Sequence, residues 1–117
     1  MASTKTYLDF VMGQLSELKG ISFRPMMGEF VLYCRGKVIG GIYDNRLLLK
    51  PTKTSLQILS DAAIQPMMDM PYEGAKAMIA ADIDDRELTC RLIDSISSDL
   101  PEPKKRVKDK KSLVSKG

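Results

Sequence analysis

The chain has 117 residues, of which 44% are hydrophobic and 28% are charged, and its formal net charge is +3 at pH 7. This balance is typical of a single globular domain and excludes both wholesale disorder and a fibrous repeat. The sequence contains no histidine, which excludes the commonest general base, histidine-activated nucleophiles and imidazole ligands for metal ions.

A helix is predicted over about residues 4–19. Apolar residues recur there at spacings of three and four, as on the buried side of an amphipathic helix: Leu8, Val11, Leu15 and Leu18. Either Ser3 or Thr4 can cap its first turn. Gly20 lies where a left-handed residue commonly ends a helix, so we expect the helix to stop at Lys19.

Residues 21–50 predict an antiparallel meander, because apolar and polar residues alternate and turn residues interrupt them at positions 35–37 and 44–46. Three hairpin-linked strands, and four strands in all, are expected here. Gly40 and Gly41 fall in the middle of a strand, where glycine usually weakens the sheet. We attribute this pair to a helix that packs closely over it, in preference to a phosphate-binding loop.

After Pro51, Thr54 or Ser55 is expected to cap a short helix that ends before Pro66. The methionine-rich segment 66–74 has two interpretations: it fills the core beneath a loop, which we prefer, or it forms an adaptable binding surface. A short additional strand is expected near Met70 or Ile79.

The last predicted element is an amphipathic helix. Asp84 and Glu87 resemble a capping box, and an apolar stripe continues to Leu100, where Pro101 follows. We interpret the acidic residues at 82–87 as helix caps in preference to a cation site. The sequence thus predicts a folded domain over residues 1–100.

Residues 101–117 are predicted to be a disordered basic tail, since they offer few apolar side chains to bury. Seven basic and two acidic residues give this segment a net charge of +5, which leaves residues 1–100 at about −2. Lys104, Lys105 and Arg106 could contact nucleic-acid phosphates weakly, without reading sequence.

The two cysteines, Cys34 and Cys90, are 56 positions apart and lack the spacing of a metal site. We expect both to be reduced. The sequence also shows neither an apolar leader nor a run long enough to span a membrane, and we expect a cytoplasmic protein with no membrane association.

Three segments carry a resemblance to a known family. Their sequences are ISFRPMMGEFVLY at residues 21–33, GKVIGGIY at 36–43 and RLLLK at 46–50. This order, an Arg-x-Met-(Met/Phe)-Gly motif before a strand, then a glycine turn and a Leu-x-Leu-Lys strand, resembles the N-terminal domain of the TfoX/Sxy competence regulators. The resemblance covers about residues 4–100, and PYEGAK at 71–76 is similar to short, stand-alone members.

The resemblance implies an α+β domain in which helices flank a curved antiparallel sheet of four to five strands, as in secretion chaperones. It also implies a regulatory protein without known catalysis or cofactor. This chain departs from the long members of the family in lacking their helical C-terminal domain, and Met27, Gly28 and Glu29 replace the usual Phe-Gly-Gly.

The candidate residues for binding a ligand or a partner lie in or near the family-like segments: Arg24, Gly28, Tyr33 and Lys50. Our preferred interpretation is a non-enzymatic regulatory or protein-interaction module. One alternative is a small anionic ligand held by Arg24 and Lys50; another, from a different class, is an enzyme with a tyrosine or lysine base. A homodimer is also expected, because the sheet of so short a protein leaves an edge uncovered.

Overall fold

A computed structural model describes residues 3–101 of the chain. The predicted tail, with Lys104, Lys105 and Arg106, lies outside the described residues apart from Pro101. The described elements are α1 (Lys5–Gln14), β1 (Ile21–Met26), β2 (Glu29–Cys34), β3 (Lys37–Tyr43), β4 (Arg46–Leu49), α2 (Lys53–Asp61), β5 (Met68–Asp69), β6 (Met78–Ala80) and α3 (Arg86–Asp99).

The strands form one antiparallel sheet in the spatial order β1-β2-β3-β4-β6-β5. The predicted α+β class is confirmed, with six strands in place of the four or five expected. The four strands predicted between residues 21 and 50 are β1 to β4, and the expected short strand near Ile79 is β6. β5 has only two residues and adds a short outer edge beyond β6.

The hydrophobic core lies between the sheet and the three helices. Its buried members include Leu8 and Val11 from α1, Leu32 from β2, and Leu59 from α2, and Ile93 extends it into α3. All five are 3% exposed or less. We call this side of the sheet the helix face.

The three hairpins of the meander have two-residue turns whose residues all adopt positive φ: Met27 and Gly28, Arg35 and Gly36, Asp44 and Asn45. Such turns match the right-handed twist of paired strands. Glycine, aspartate and asparagine accept this conformation most readily, which is why the turns at 35–37 and 44–46 were predictable.

The prediction that a helix packs closely over Gly40 and Gly41 is wrong, because the atoms nearest to an added Cβ at either position belong to the sheet. A Cβ atom on Gly40 would meet the backbone of β4, the carbonyl oxygen of Leu48 and the Cα of Leu49. The register of β2 on β3 shifts at this point, so that Leu32 pairs with Gly40 whereas Tyr33 pairs with Val38. Gly40 therefore permits a close approach of strand to strand at a bulge.

Helix boundaries differ from the sequence predictions by a few residues. α1 is capped by the Thr4 hydroxyl, as expected, but it ends at Gln14, and the exposed Gly13 in its last turn lowers its helical propensity. α2 begins earlier than predicted because Thr52 forms a capping box with Ser55. α3 is capped by Asp85, one residue after the predicted cap.

We had preferred the interpretation that the methionine-rich segment fills the core beneath a loop. The structure contradicts it. Met67 is 71% exposed, Met68 is 46% and Met70 is 48% exposed. These side chains belong to the surface next to the sheet, and the remaining interpretation, an adaptable binding surface, fits their exposure.

Candidate interaction site

The side of the sheet opposite the helices, here called the open face, carries side chains that do not join the helical core. Residues paired across neighbouring strands share one face, and this places Val31, Gly41, Leu48 and Ala80 in a row across the open face. Leu48 is fully buried, yet it lies outside the core cluster to which all three helices contribute. The open face therefore has its own small apolar floor.

The connection between β5 and β6, residues 70–77, approaches the open face at Tyr43, and we call it the arch. Arg46 at the start of β4 holds its first part: the guanidinium pairs with the Asp69 carboxylate and donates to the carbonyl oxygens of Met70 at 3.2 Å and Pro71 at 3.5 Å. The hydrogen bond from Arg46 lowers the pKa of the Asp69 carboxyl, so this ion pair persists in mildly acidic solution.

Two tyrosines meet where the arch approaches the sheet. The Tyr43 ring lies over Gly41, whose added Cβ would come within 2.7 Å of the Tyr43 Cε2 atom. The ring centroids of Tyr43 and Tyr72 are 6.5 Å apart in an edge-on arrangement. Burial raises the pKa of the Tyr43 phenol, and Tyr72 and Glu29 raise it further, so the phenol stays protonated at neutral pH.

A large hollow of about 700 Å³ opens beside these tyrosines. Its lining combines apolar and aromatic side chains from the sheet, the arch and the end of α3, among them Val38, Tyr43, Tyr72, Met78 and Leu100. Lys50 and Lys76 are the charged residues of this lining, and no carboxylate is among its described residues. The volume falls in the range typical of small-molecule sites.

A second, smaller hollow of about 350 Å³ lies on the other side of the tyrosine pair and is lined in part by Met26 and Met27. Glu29 is its charged residue, and its carboxylate accepts hydrogen bonds from the backbone N–H of Ser3 at 2.9 Å and of Asp44 at 3.1 Å. Because this charge is engaged in tying the N-terminal segment to the sheet, the small hollow presents mainly apolar surface.

The four candidate residues from sequence are distributed over different parts of the sheet. Arg24 and Tyr33 meet on the open face, with the guanidinium carbon 5.9 Å from the ring centroid. Gly28 is in the β1–β2 turn, where its φ is 85° and its carbonyl accepts from Ser3. Lys50 lines the large hollow.

The sheet does not bring Arg24 and Lys50 together. Arg24 lies on β1 and Lys50 directly follows β4, so β2 and β3 separate them. Three inter-strand spacings amount to about 14 Å. The cation that shares the large hollow with Lys50 is Lys76, which belongs to the arch.

Comparison with known proteins places this chain in a family. The TfoX N-terminal domain family matches residues 13–94, more than half of the chain. The chain is also 33% identical over 108 residues to the uncharacterized 12.7 kDa protein in the trpE 5′ region of Spirochaeta aurantia, covering 91% of this chain and 90% of that protein. The chain belongs to the TfoX N-terminal domain family. This confirms the resemblance inferred from sequence.

The TfoX N-terminal domain family is not known for enzymes, and its members suggest a regulatory or interaction module. In residues 3–101 of this member, no group of three or more cysteine, aspartate and glutamate side chains could hold a metal ion. Cys34 is fully buried and Cys90 partly buried; both thiols are free, and desolvation raises the pKa of the Cys90 thiol. No helix in this part of the chain is long and apolar enough to cross a bilayer.

Sequence reasoning missed the residues that shape the large hollow. Neither Tyr43 nor Tyr72 nor Lys76 was selected as a candidate residue. A usable signal was present, because Tyr72 and Lys76 lie in the PYEGAK segment that already carried part of the family resemblance. Their meeting with Tyr43 and Lys50 depends on β6 pairing with β4, a contact that local sequence patterns do not encode.

Proposed function

We propose that this TfoX N-terminal domain is a non-enzymatic regulatory module that binds a partner protein on its open face. The observation that carries the proposal is the large hollow, where Tyr43 and Tyr72 line an apolar site and the charged residues, among those that the structure describes, are Lys50 and Lys76. Aromatic residues and methionine are enriched at protein interfaces, because they offer large contact areas and adaptable shapes. The family membership supports an interaction role over catalysis.

The chemistry of the hollow defines the partner segment we expect. An apolar lining with Lys50 and Lys76 favours a segment in which aliphatic or aromatic residues stand beside aspartate or glutamate. The basic residues that follow Pro101 are unsuitable occupants, since a net charge of +5 would meet two lysines of the same sign. The partner is therefore a different, acidic segment.

A second candidate function is the binding of a small carboxylate or phosphate in the same hollow. Lys50 and Lys76 line one cavity, and within residues 3–101 its lining includes no carboxylate to neutralise them, which favours an anion with an apolar body. In this version Lys76 replaces Arg24 as the second cation proposed for the ligand.

Selection from a random displayed-peptide library tests the main proposal. Peptides enriched on the wild-type protein should combine acidic and apolar residues. Their affinity should fall at least tenfold for the double variant Lys50→Glu, Lys76→Glu. It should stay unchanged for the control Lys5→Glu, Lys19→Glu, which makes the same change in net charge at residues outside the hollow. Enriched peptides without acidic residues, or equal losses in both double variants, would contradict the proposal.

Methionine methyl NMR locates the binding site and separates the two candidates. Met78 lines the large hollow, whereas Met12 packs against the helical core. A selected peptide should shift the Met78 methyl signal and leave that of Met12 in place. A shift of Met78 by simple aliphatic or aromatic carboxylates, combined with no peptide binding, would favour the small anion.

A further inference from the structure

One edge of the sheet is long and unpaired in the described structure. β1 is an outermost strand of six residues, and five of them are exposed. The opposite edge is β5, whose two residues are too few to accept another strand. Long exposed edge strands offer unpaired backbone donors and acceptors that can continue a sheet.

The phase of the β1–β2 hydrogen bonds decides which β1 groups face outward. The two-residue turn at Met27 and Gly28 makes Met26 and Glu29 a hydrogen-bonded pair, and such pairs alternate along an antiparallel ladder. At the other end, the Arg35 N–H donates to the Gly20 carbonyl at 2.9 Å, which fits the same phase.

With this phase, Ser22 and Arg24 direct their backbone groups toward β2, whereas Ile21, Phe23 and Pro25 direct theirs outward. Pro25 has no N–H, and the outward side of an edge strand is where proline is tolerated. The free edge therefore provides N–H and C=O groups at Ile21 and Phe23, followed by a proline that limits pairing at its far end.

We propose that two copies of the chain associate through β1, antiparallel and around a two-fold axis at Ser22, to form one continuous sheet. Ile21 of each copy then pairs with Phe23 of the other, and these two pairs supply four backbone hydrogen bonds. In this register Pro25 lies opposite Lys19 of the second copy, beyond the strand. If the axis were centred on Phe23 instead, Pro25 of one copy would lie opposite Ile21 of the other. The proline ring, which has no N–H to donate, would then face the Ile21 carbonyl of the second copy.

Side chains on the helix face support the same register. Phe23 is 38% exposed, and its ring meets Phe30 edge-on at 5.9 Å. Ile21 and Phe30 already pack against the core cluster. Pairing Phe23 with Ile21 of the second copy covers the exposed part of the ring and joins the two cores through an apolar contact.

Charges on the open face do not oppose this pairing. Arg24 comes to lie opposite Gly20 of the second copy, and the two Arg24 positions are offset by four residues along the strands. At about 3.4 Å per residue, their separation is about 14 Å. The repulsion between two exposed cations at that distance is largely screened at physiological ionic strength.

Disulfide trapping tests both the contact and its register. In a Cys90→Ser background, Ser22→Cys places two thiols at a non-hydrogen-bonded pair, where the Cα atoms are about 4.5 Å apart, within reach of a disulfide. Cys34 stays buried and unreactive. Mild oxidation should convert most of this variant to a covalent dimer. The control Arg24→Cys, also exposed but about 14 Å from its counterpart, should remain monomeric in denaturing electrophoresis.

Sedimentation provides the second measurement. The wild-type protein at tens of micromolar should sediment at twice the 13.0 kDa of one chain, and Phe23→Asp should sediment as a folded monomer. A wild-type monomer overturns the proposal. So does cross-linking of both cysteine variants to the same extent, or efficient cross-linking only when Ser22→Cys is mixed with Arg24→Cys, because that pattern requires the axis at Phe23.

Discussion

Asp99, at the end of α3, caps the start of α2 through Thr54. Its carboxylate accepts the backbone N–H of Thr54 at 3.0 Å and the hydroxyl of the same residue at 2.8 Å. A negative charge at a helix N-terminus satisfies a free donor and interacts favourably with the helix dipole. The contact joins two helices that also pack together, and it fixes the chain just before Leu100 reaches the large hollow.

The Asp99–Thr54 contact predicts an acid-sensitive contribution to stability. Hydrogen bonds from Thr54 and Thr52 hold the pKa of the Asp99 carboxyl below its ordinary value. The folded state therefore favours the ionised form, and the stabilisation is complete above about pH 4 and lost as the pH falls through the lower, folded-state pKa. Asp99→Asn should lower the melting temperature by a few degrees at pH 7.

Thermal unfolding across a pH series checks this prediction. The difference between wild type and Asp99→Asn should shrink steadily below pH 4 as the wild-type carboxyl protonates. Asp94→Asn is a suitable comparison, since Asp94 lies on α3 and pairs with Arg35 but caps no helix. A difference for Asp99→Asn that stays constant from pH 7 to pH 3 would contradict the assigned role.

The small hairpins and the end helices were predictable because their signals are local. Alternation and turn residues define β1 to β4, and helical spacing defines α1 and α3. The position of the 66–80 region was not predictable, since Ile79 pairs with Met68 on one side and with Leu49 of β4 on the other, and the latter pairing is distant in sequence. The same reason explains why Gly40 was misassigned: its partner is a strand backbone, and a sequence does not show which element will approach a glycine.

Gly40 provides the sharpest test of strand packing. Gly40→Ala would drive a methyl group into the Leu48 carbonyl, and neither backbone can move without opening the sheet. We expect a loss of about 1–3 kcal/mol in the free energy of unfolding, as in other overpacked cores. Gly13→Ala should instead add about 0.5 kcal/mol, because its Cβ meets nothing within 4 Å and alanine favours helix. Urea denaturation measures the unfolding free energy of both variants. Equal effects of the two substitutions would exclude the close approach of β4 as the reason for glycine at position 40.

The Arg46 contacts predict that the arch is positioned from β4. Arg46→Ala removes the ion pair with Asp69 and two hydrogen bonds to arch carbonyls. The protein should still fold, but Tyr72 should lose its fixed place beside Tyr43, and affinity for the selected peptides should fall several-fold. Aromatic NMR signals report the first effect and peptide titration the second. If Tyr72 is displaced and the peptide affinity is unchanged, the arch is not part of the binding site.

The domain boundary near residue 100 predicts that removal of residues 102–117 leaves the melting temperature nearly unchanged. Within the described residues the core cluster and the side chains packed against it extend to Leu100, and the sizeable apolar side chains in the sequence of residues 102–117 are only Val107, Leu113 and Val114. Truncation after Asp99 is the matched comparison, because it also removes Leu100, which packs against the core. That shorter form should melt several degrees lower. A comparable loss in the longer form would place the boundary beyond residue 101.

Arg24 is expected to contribute to stability and not to partner binding. Its guanidinium lies over the Tyr33 ring at an exposed site, where such contacts are worth about 0.5–1 kcal/mol. Arg24→Ala should therefore lower the unfolding free energy by that amount. Peptide affinity should not change, since Arg24 is about three strand spacings, or 14 Å, from Lys50 in the large hollow.

A double-mutant cycle with Tyr33→Ala isolates the contact between the two side chains, and its coupling should be close to the loss measured for Arg24→Ala alone. The opposite pattern, normal stability with peptide binding lost, would make Arg24 a binding residue. The partner surface would then extend from the large hollow across β3 and β2 to β1, and the proposed sheet-continuing dimer would present two such surfaces side by side.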